Sequence, residues 1–353
     1  MEALQIISFT EKARWNGIVK SFSNYDVYYL HEYVSAFRYA GDGNPYLIYY
    51  SGDRMRLCYT VLHCDIAKSY TFEGILEKGC YYDIATPYGY GGPLVTHYSQ
   101  KEMRRFFALF KAYCNENGII SQFIRFHPLL GNEVLFADYC ELCSIKKTVF
   151  VDIADRETVY ANLESRCRGA IQKARKTGIQ IKIDNSDEAK ATFIRLYSET
   201  MQRLGAASYY FFNGEFFDDF FLNMAGYYNL FCAMLEGQIV SAAIILCCNL
   251  NIHYHLSGSD EAFQRFSPNN LLLYTAACWG ADNGYKKFHL GGGVEADDSL
   301  FLFKKSFNKE GQLDFYIGRS IFSDEKLRSL VKLRVDCDPD FDPQNGYMIQ
   351  YRA

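Results

Sequence analysis

NIHYHLSGSDEAFQRFSPNNLLLYTAACWGADNGYKKFHLGGG, Asn251 to Gly293, decides the fold. "NIHYHLSGS" alternates as a strand does. "DEAFQRFSPNN" is a loop of turn-forming residues. "LLLYTAACWGADNG" is long and apolar enough for a helix and stops at Gly284. "YKKFHLGGG" is a strand that runs into three glycines. Upstream, the same order occurs once more. "CYYDIATPYGYGGPLV", from Cys80, is a strand followed by a Pro/Gly loop. "SQKEMRRFFALFKAYCNENG" is a helix with Ser99 as N-cap and Met103, Phe106, Phe107, Phe110 and Tyr113 at helical spacing; Gly118 ends it. "IISQFIRFHPLL" is a strand that meets a proline. The two halves share order but almost no residues. The expected fold class is therefore α/β (α+β): two tandem lobes, each a mixed sheet flanked by helices.

The boundary is expected near Val149–Asp155, giving an N-terminal lobe over 1–150 and a C-terminal lobe over 151–353. "TVFVDIAD" reads as a strand, and "RETVYANLESRCRGAIQKARKTG" as one long helix. Asp155 is its N-cap, with Glu157 in the first turn and Lys176 in the last. Val159, Leu163, Ala170, Ile171 and Ala174 form its apolar face, and Gly178 closes it. "IQIKI" is a strand and "EAKATFIRLYSETMQRLG" a helix. "NLFCAMLEGQIVSAAIILCC" is a hairpin turning at Glu236–Gly237. "FYIGRSIFSDEKLRSLVKLR" is a strand followed by a helix.

A chain of 353 residues suggests about two domains. Its net charge of −4 is spread over both signs, which excludes a protein held to nucleic acid by bulk charge but leaves room for a local basic face. With 29 Tyr and 28 Phe, the chain can line a cleft that is part apolar and part polar. "MEALQIISFTEKARWNG" mixes acids and bases and does not read as a secretory leader. The expected location is the cytoplasm, with the 12 cysteines reduced. No apolar run is long enough to span a bilayer. "CELC" lacks the second pair that a zinc site needs.

Several stretches carry possible chemistry. "QRFSPNN", Gln264 to Asn270, precedes a helix start, where unpaired N–H groups attract an anion; an ordinary helix start explains it equally. Gly291, Gly292 and Gly293 give a bare backbone, either for a ligand or for a tight turn. "LFKKSF" places Phe303 and Phe307 on one helix face and turns Lys304 elsewhere. "YYDIATPYGYGGP" is either a rigid binding wall or a well-packed loop. His253 and His255 are spaced to share a sheet face, but no third ligand is spaced to join them, so no metal is expected. No G-x-S-x-G occurs. "SRCRGAIQKARKTGIQIK" holds six bases and no acids, which is either a solvated face or a surface for a phosphate-rich partner.

Taken in order, "DIATPYGYGGPL", "IRFHPL", "RGAIQKARKTGI", "YYFF", "IHYHLSGS", "SPNNLLLY", "HLGGG" and "LFKKSF" resemble the Fem family of peptidoglycan-bridge aminoacyltransferases and the related FemAB-like branch of the GNAT acyltransferases, over roughly Cys80 to Ser323. The resemblance implies two GNAT-like lobes with a cleft between them. It implies transfer of an aminoacyl or acyl group to an amine. The family's F-K pair falls on Phe303 and Lys304, and there the lysine stabilises charge during transfer. By position, Gln264, Arg265, Phe266, Ser267, Pro268, Asn269 and Asn270 would hold the donor. Asp83, Tyr88, Arg125, His127, Tyr210, Tyr254, His255 and Gly291–Gly293 would line the acceptor or donor pocket.

The donor implied is aminoacyl-tRNA in the Fem branch or acyl-coenzyme A in the other, each a co-substrate rather than a tightly bound cofactor. The acceptor is a peptidoglycan precursor or a nucleotide-linked or lipid-linked amino sugar, with peripheral membrane contact. The chain lacks the long helical hairpin of some Fem enzymes, and "QRFSPNN" lacks the glycines of an acetyltransferase pyrophosphate loop. A third reading is a GNAT-like binding protein without catalysis. A buried Lys304 favours the enzymes, and a solvent-facing one favours the binder.

Overall fold

A computed structural model describes residues 3–353; Met1 and Glu2, which open the segment read for a leader, lie outside them. The strands are β1 (Ala3–Ser8), β2 (Asn44–Ser51), β3 (Arg56–Asp65), β4 (Tyr82–Ala85), β5 (Leu94–Thr96), β6 (Ile119–Arg125), β7 (Glu141–Asp152), β8 (Gln180–Ile183), β9 (Tyr228–Leu235), β10 (Gln238–Cys248), β11 (Asn251–Ser259), β12 (Lys287–Gly292) and β13 (Gln312–Ile321). The helices are α1 (Lys12–Lys20), α2 (His31–Ser35), α3 (Gln100–Glu116), α4 (Arg156–Asn162), α5 (Ser165–Lys176), α6 (Asp187–Arg203), α7 (Gly214–Asn223), α8 (Pro268–Asp282), α9 (Ser299–Lys305) and α10 (Asp324–Cys337).

The chain divides into two compact units. The first is Met1–Ser144 together with Phe315–Ala353. Its strands run in the order β1-β2-β3-β4-β6-β13, with β5 on β3. Neighbours are antiparallel except β4 and β6. The parallel pair needs a crossover, and α3 supplies it. Ser99 caps α3 by accepting from Glu102 N, and Met103, Phe106, Phe110 and Cys114 are its buried face. They pack with Tyr59, Ile84, Ile124 and Phe136.

The second unit is Ile145–Asp314, with strands in the order β7-β12-β11-β10-β9-β8. Here β11 and β12 are the parallel pair and α8 is the crossover. The expected doubling is thus present as topology: each unit is a meander of antiparallel strands with one strand–helix–strand crossover. The hairpin of β9 and β10 turns at Glu236 and Gly237, both with positive φ, as a tight two-residue turn requires. Leu271, Leu272, Ala276 and Ala277 of α8 pack on Phe231, Ile245, Ile252 and Phe288.

Two expectations need correction. The tail does not group with the second lobe. Residues Ile317–Ile321 of β13 pair antiparallel with Ser121–Arg125 of β6, and Leu330, Ile349 and Tyr351 share a core with Ile66, Phe72 and Ile120. The chain therefore completes its first unit last, so a single cut at 150 does not describe it. Nor is the helix after Asp155 continuous. It breaks at Leu163 and Glu164, both extended, giving α4 and α5. The break leaves Leu163 in the core and sends the Glu164 N–H to Ser306 O at 2.9 Å. Cys167 rather than Ala170 completes the buried stripe of α5.

A close backbone approach in the second unit is at Gly258 of β11, beneath α6. A Cβ there would lie 2.3 Å from Leu196 C and Tyr197 N, so no side chain fits without lifting the helix. Gly169 on α5 is the reverse case, with open space around its Cβ position. Gly258→Ala should cost at least ~2 kcal/mol of stability by overpacking. Gly169→Ala should add about 0.5–1 kcal/mol, because alanine loses less backbone freedom in a helix. Urea denaturation of the two variants checks both signs.

Candidate active site

The site grows from a place where two strands stop pairing. β11 and β12 are in register only at Asn251–Lys287, Ile252–Phe288 and His253–His289. Beyond His253, β11 stays with β10, and beyond His289, β12 stays with β7. Tyr254 is the first residue past the last shared pair. β10 and β11 also slip at this point: Ile244 faces Leu256 while Ile245 faces Tyr254, so His255 is the extra residue of a bulge. That slip interrupts the alternation expected to put His253 and His255 on one face.

β12 ends in the glycine turn. Gly291 has a φ of +73°. A Cβ on Gly292 would lie 2.7 Å from Lys147 O, and one on Gly293 would lie 2.1 Å from Asp298 Oδ1. The bare backbone serves close packing around the Asp298 carboxylate. Asp298 caps α9 by accepting from Phe301 N at 2.7 Å, and it gathers the loop by accepting from Val294 N at 2.6 Å and Glu295 N at 3.0 Å. Partial burial pushes this carboxyl up, but the N–H bonds outweigh it and hold it below its ordinary value.

Lys304 stands in the last turn of α9 and is 8% exposed. Its Nζ donates to Gly292 O at 2.7 Å and lies 5.6 Å from the centre of the Tyr254 ring. Among the described residues, no carboxylate is within ion-pair distance of it. Lys146 of β7 donates to the next carbonyls of the same turn, Gly293 O at 2.8 Å and Val294 O at 3.2 Å. Burial, then the Lys146 charge, bring Lys304 down to about 7 against the pull of Asp298. Tyr254 turns its hydroxyl to Ser257 Oγ at 2.5 Å, and burial raises its phenol. His255 stacks on Phe220 of α7 with ring centres 5.8 Å apart. Burial, then His253, push it down to about 3, so it is neutral at physiological pH.

Phe303 packs edge-on against Phe307 and faces a groove of about 360 Å³ shared with Arg166, Cys167, Asn270, Leu302 and Ser306. The structure thus brings Phe303, Lys304, Tyr254, Gly291–Gly293 and Asn270 into one neighbourhood of the second unit. In the loop expected to hold the donor, Gln264 reaches Ser259 Oγ at 3.5 Å and Arg265 lies over Phe266 at 4.7 Å. Ser267 takes a left-handed φ of 60°, and Pro268 opens α8 without a side-chain cap. Asn269 accepts from Ser241, and Asn270 reaches Cys167 Sγ at 3.7 Å. The asparagine side chains face the protein, so what this helix start offers outward is backbone N–H.

The remaining expected residues have internal partners. Tyr210 accepts from Tyr197 through its carbonyl at 2.8 Å. In the first unit, Asp83 is held by Arg352, with Nε at 2.8 Å, and by the Tyr351 hydroxyl at 2.8 Å, which anchors the tail. The Tyr88 carbonyl accepts from Tyr33 at 2.7 Å. Arg125 donates to Gly89 O at 3.0 Å and lies 5.0 Å from the Phe315 ring centre. His127 pairs with Asp26 at 3.2 Å, both fully buried. The loop around these residues is tightly packed. Asn132 donates to Gly91 O and Pro93 O, and Gly89 leaves no room for a Cβ beside Tyr28.

On α5, Arg166, Lys173, Arg175 and Lys176 are exposed. Arg168 lies 5.7 Å over Tyr160 and Arg175 lies 5.4 Å over Tyr274, and the two tyrosines meet edge-on. The basic stretch thus carries two guanidinium–ring pairs whose rings touch. Lys146 and Asp298 were missed by sequence reasoning. Asp298 had a signal, an N-cap residue before an apolar turn. Lys146 had none, since a lysine on a strand looks like any solvated one.

Residues 161–301 match the family model of the acetyltransferase (GNAT) domain. No curated protein sequence matches the chain. Among solved structures, FemX is similar with a TM-score of 0.68 and 16% identity over 94% of this chain and 100% of that one. L-PGS from Bacillus licheniformis is similar with a TM-score of 0.57 and 12% identity over 94% and 98%. A tandem GNAT protein from the clavulanic acid biosynthesis pathway gives 0.52 and 7% over 92% and 100%. Residues 161–301 thus match the GNAT acetyltransferase domain, in a chain whose fold is similar to that of FemX and of a tandem GNAT protein.

Proposed function

We propose that this protein is an acyltransferase that moves an aminoacyl group from aminoacyl-tRNA to a side-chain amine of a peptidoglycan precursor. The observation that carries the reading is Lys304, buried with a carbonyl for a partner at the point where β11 and β12 stop pairing. Attack of an amine on an ester places negative charge on the carbonyl oxygen. A preoriented N–H donor or cation in a dry site stabilises that charge by several kcal/mol. Holding both substrates at one place supplies the remainder through proximity. A buried Lys304 favours transfer over a binding protein without catalysis, because a lysine amine kept from water for no purpose is a cost.

The Arg–Tyr surface of α5 supports an RNA donor. Guanidinium groups bind phosphates, and the exposed Tyr160 ring suits stacking on a base. The Fem resemblance of the motifs, on a fold similar to that of FemX, supports the same donor and a peptidoglycan-type acceptor. A second reading is an acyl-coenzyme A-dependent N-acyltransferase acting on an amino sugar of the cell envelope. The start of α8, which has no side-chain cap, favours it, because backbone N–H at a helix start suits a pyrophosphate. No helix among the described residues is long and apolar enough to cross a membrane, so a lipid-linked acceptor would be met by peripheral contact.

Lys304→Met should lower turnover by ~10²–10³-fold, the range for loss of one oxyanion donor, while leaving the urea midpoint no lower than that of wild type. Wild-type turnover in this variant would remove the centre of the reading. The donor is decided by calorimetric titration of coenzyme A alongside an assay with charged tRNA and a muramyl-peptide precursor. The RNA reading expects no saturable coenzyme A binding. It also expects turnover whose salt dependence falls by roughly 1.4–1.8 units of slope when Arg168 and Arg175 both become Gln. Saturable coenzyme A binding, weakened by substitution at Ser267, would instead establish the second reading.

A further inference from the structure

The glycine turn carries two lysines, and only one of them belongs to the expected motif. Lys304 donates to Gly292 O, and Lys146 donates to the carbonyls of Gly293 and Val294. Asp298, the carboxylate that acts on Lys304, has both oxygens engaged by backbone N–H groups of the same loop. The charged and titratable groups facing Lys304 are therefore Lys146 from β7, Asp298 at the start of α9 and the Tyr254 phenol from β11. None of them forms an ion pair with it. A carbonyl partner is compatible with either protonation state. The ammonium donates to it, and the neutral amine donates one N–H and keeps its lone pair free.

We propose that Lys146 is a positioning residue that acts through Lys304. It clamps the turn that receives Lys304, and as a fixed like charge it lets Lys304 serve as the proton carrier of the transfer step. This rests on the acyl-transfer reading above and names the base which that reading left open. The acceptor amine attacks the carbonyl carbon with its lone pair, and the C–N bond forms. The nitrogen, now positively charged, passes a proton to neutral Lys304. The carbonyl re-forms as the bond to the leaving oxygen or sulfur breaks, and Lys304 returns the proton to that leaving atom. Lys304 ends as it began, and nothing outside the two substrates is consumed. In its protonated interval it is also the cation beside the oxyanion.

The lowered proton affinity of Lys304, about 7, agrees with this geometry. The sign of the pH dependence follows. The neutral form starts the step, so turnover rises as pH rises through that value and falls away below it. Removing the Lys146 charge raises the proton affinity of Lys304 and moves the rising limb to higher pH.

The test is a pH titration of the Lys304 ε-carbon by NMR in lysine-labelled full-length protein, with the signal assigned by its loss in Lys304→Arg. In wild type the midpoint should fall near 7. Lys146→Met should raise it by ~1 unit, a tenfold change in the neutral fraction, and Lys146→Arg should restore it. Lys146→Gln, which keeps a donor for the carbonyls, is the second variant should Met disturb folding. An unmoved midpoint in a folded Met or Gln variant overturns the proposal. Because this readout needs no substrate, it stands or falls apart from the donor and acceptor. The pH profile of kcat then separates a role in proton transfer from a purely structural one. A profile lowered evenly at all pH values would mean that Lys146 only holds the turn.

Discussion

A buried lysine amine without a carboxylate partner is the constraint around which the second unit is arranged. Taking Lys304 out of water costs several kcal/mol unless partners compensate. A single carbonyl, Gly292 O, compensates only in part. A chain in need of nothing but a packed core would place methionine there at no such cost. The surroundings also decline to neutralise the charge, since Asp298 is turned to the backbone and Tyr254 to Ser257. Such uncompensated burial persists where function requires it.

The position of Lys304 depends on features far from it in sequence. β11 and β12 share only three residue pairs, so Tyr254 is left at the point of parting. The turn after β12 closes because Gly292 and Gly293 have no Cβ, and Asp298 fixes it by serving as helix cap and loop anchor at once. The break at Leu163–Glu164 lets Glu164 N reach Ser306 O, which ties the residue after the two lysines to the start of α5. A change at any of these places would move the ammonium by more than the tolerance of a catalytic group.

How much of this could be read from the chain differs by level. The crossovers around α3 and α8 were legible, because Ser99, Gly118 and Gly284 punctuate them and their apolar spacing is regular. The closing of the first unit by β13 and α10 was not. A strand's partner is set by long-range pairing, and "FYIGRSI" carries no mark of pairing with "SQFIR". The break between α4 and α5 was hidden because Leu163 and Glu164 are both good helix formers, and the tertiary bond to Ser306 overrides that propensity. In the site, Lys304 was legible through a motif. Asp83 misled, because an acid in an aromatic loop reads as a ligand until Arg352 and Tyr351, 269 and 268 residues away, arrive beside it.

The loop before α8 shows how the same backbone geometry arises without the expected residues. Ser267 takes the left-handed conformation that glycine would take more readily. Asn269 and Asn270 then spend their side chains on Ser241 and Cys167 rather than on the first turn. What the first turn offers a ligand is backbone N–H, which binds an anion but does not tell one phosphate-bearing donor from another. On the proposed reading, discrimination must then come from groups with shape and charge of their own. Arg166 beside Phe303, and the stacked Arg168–Tyr160 and Arg175–Tyr274 pairs, are the groups of that kind next to the transfer residues.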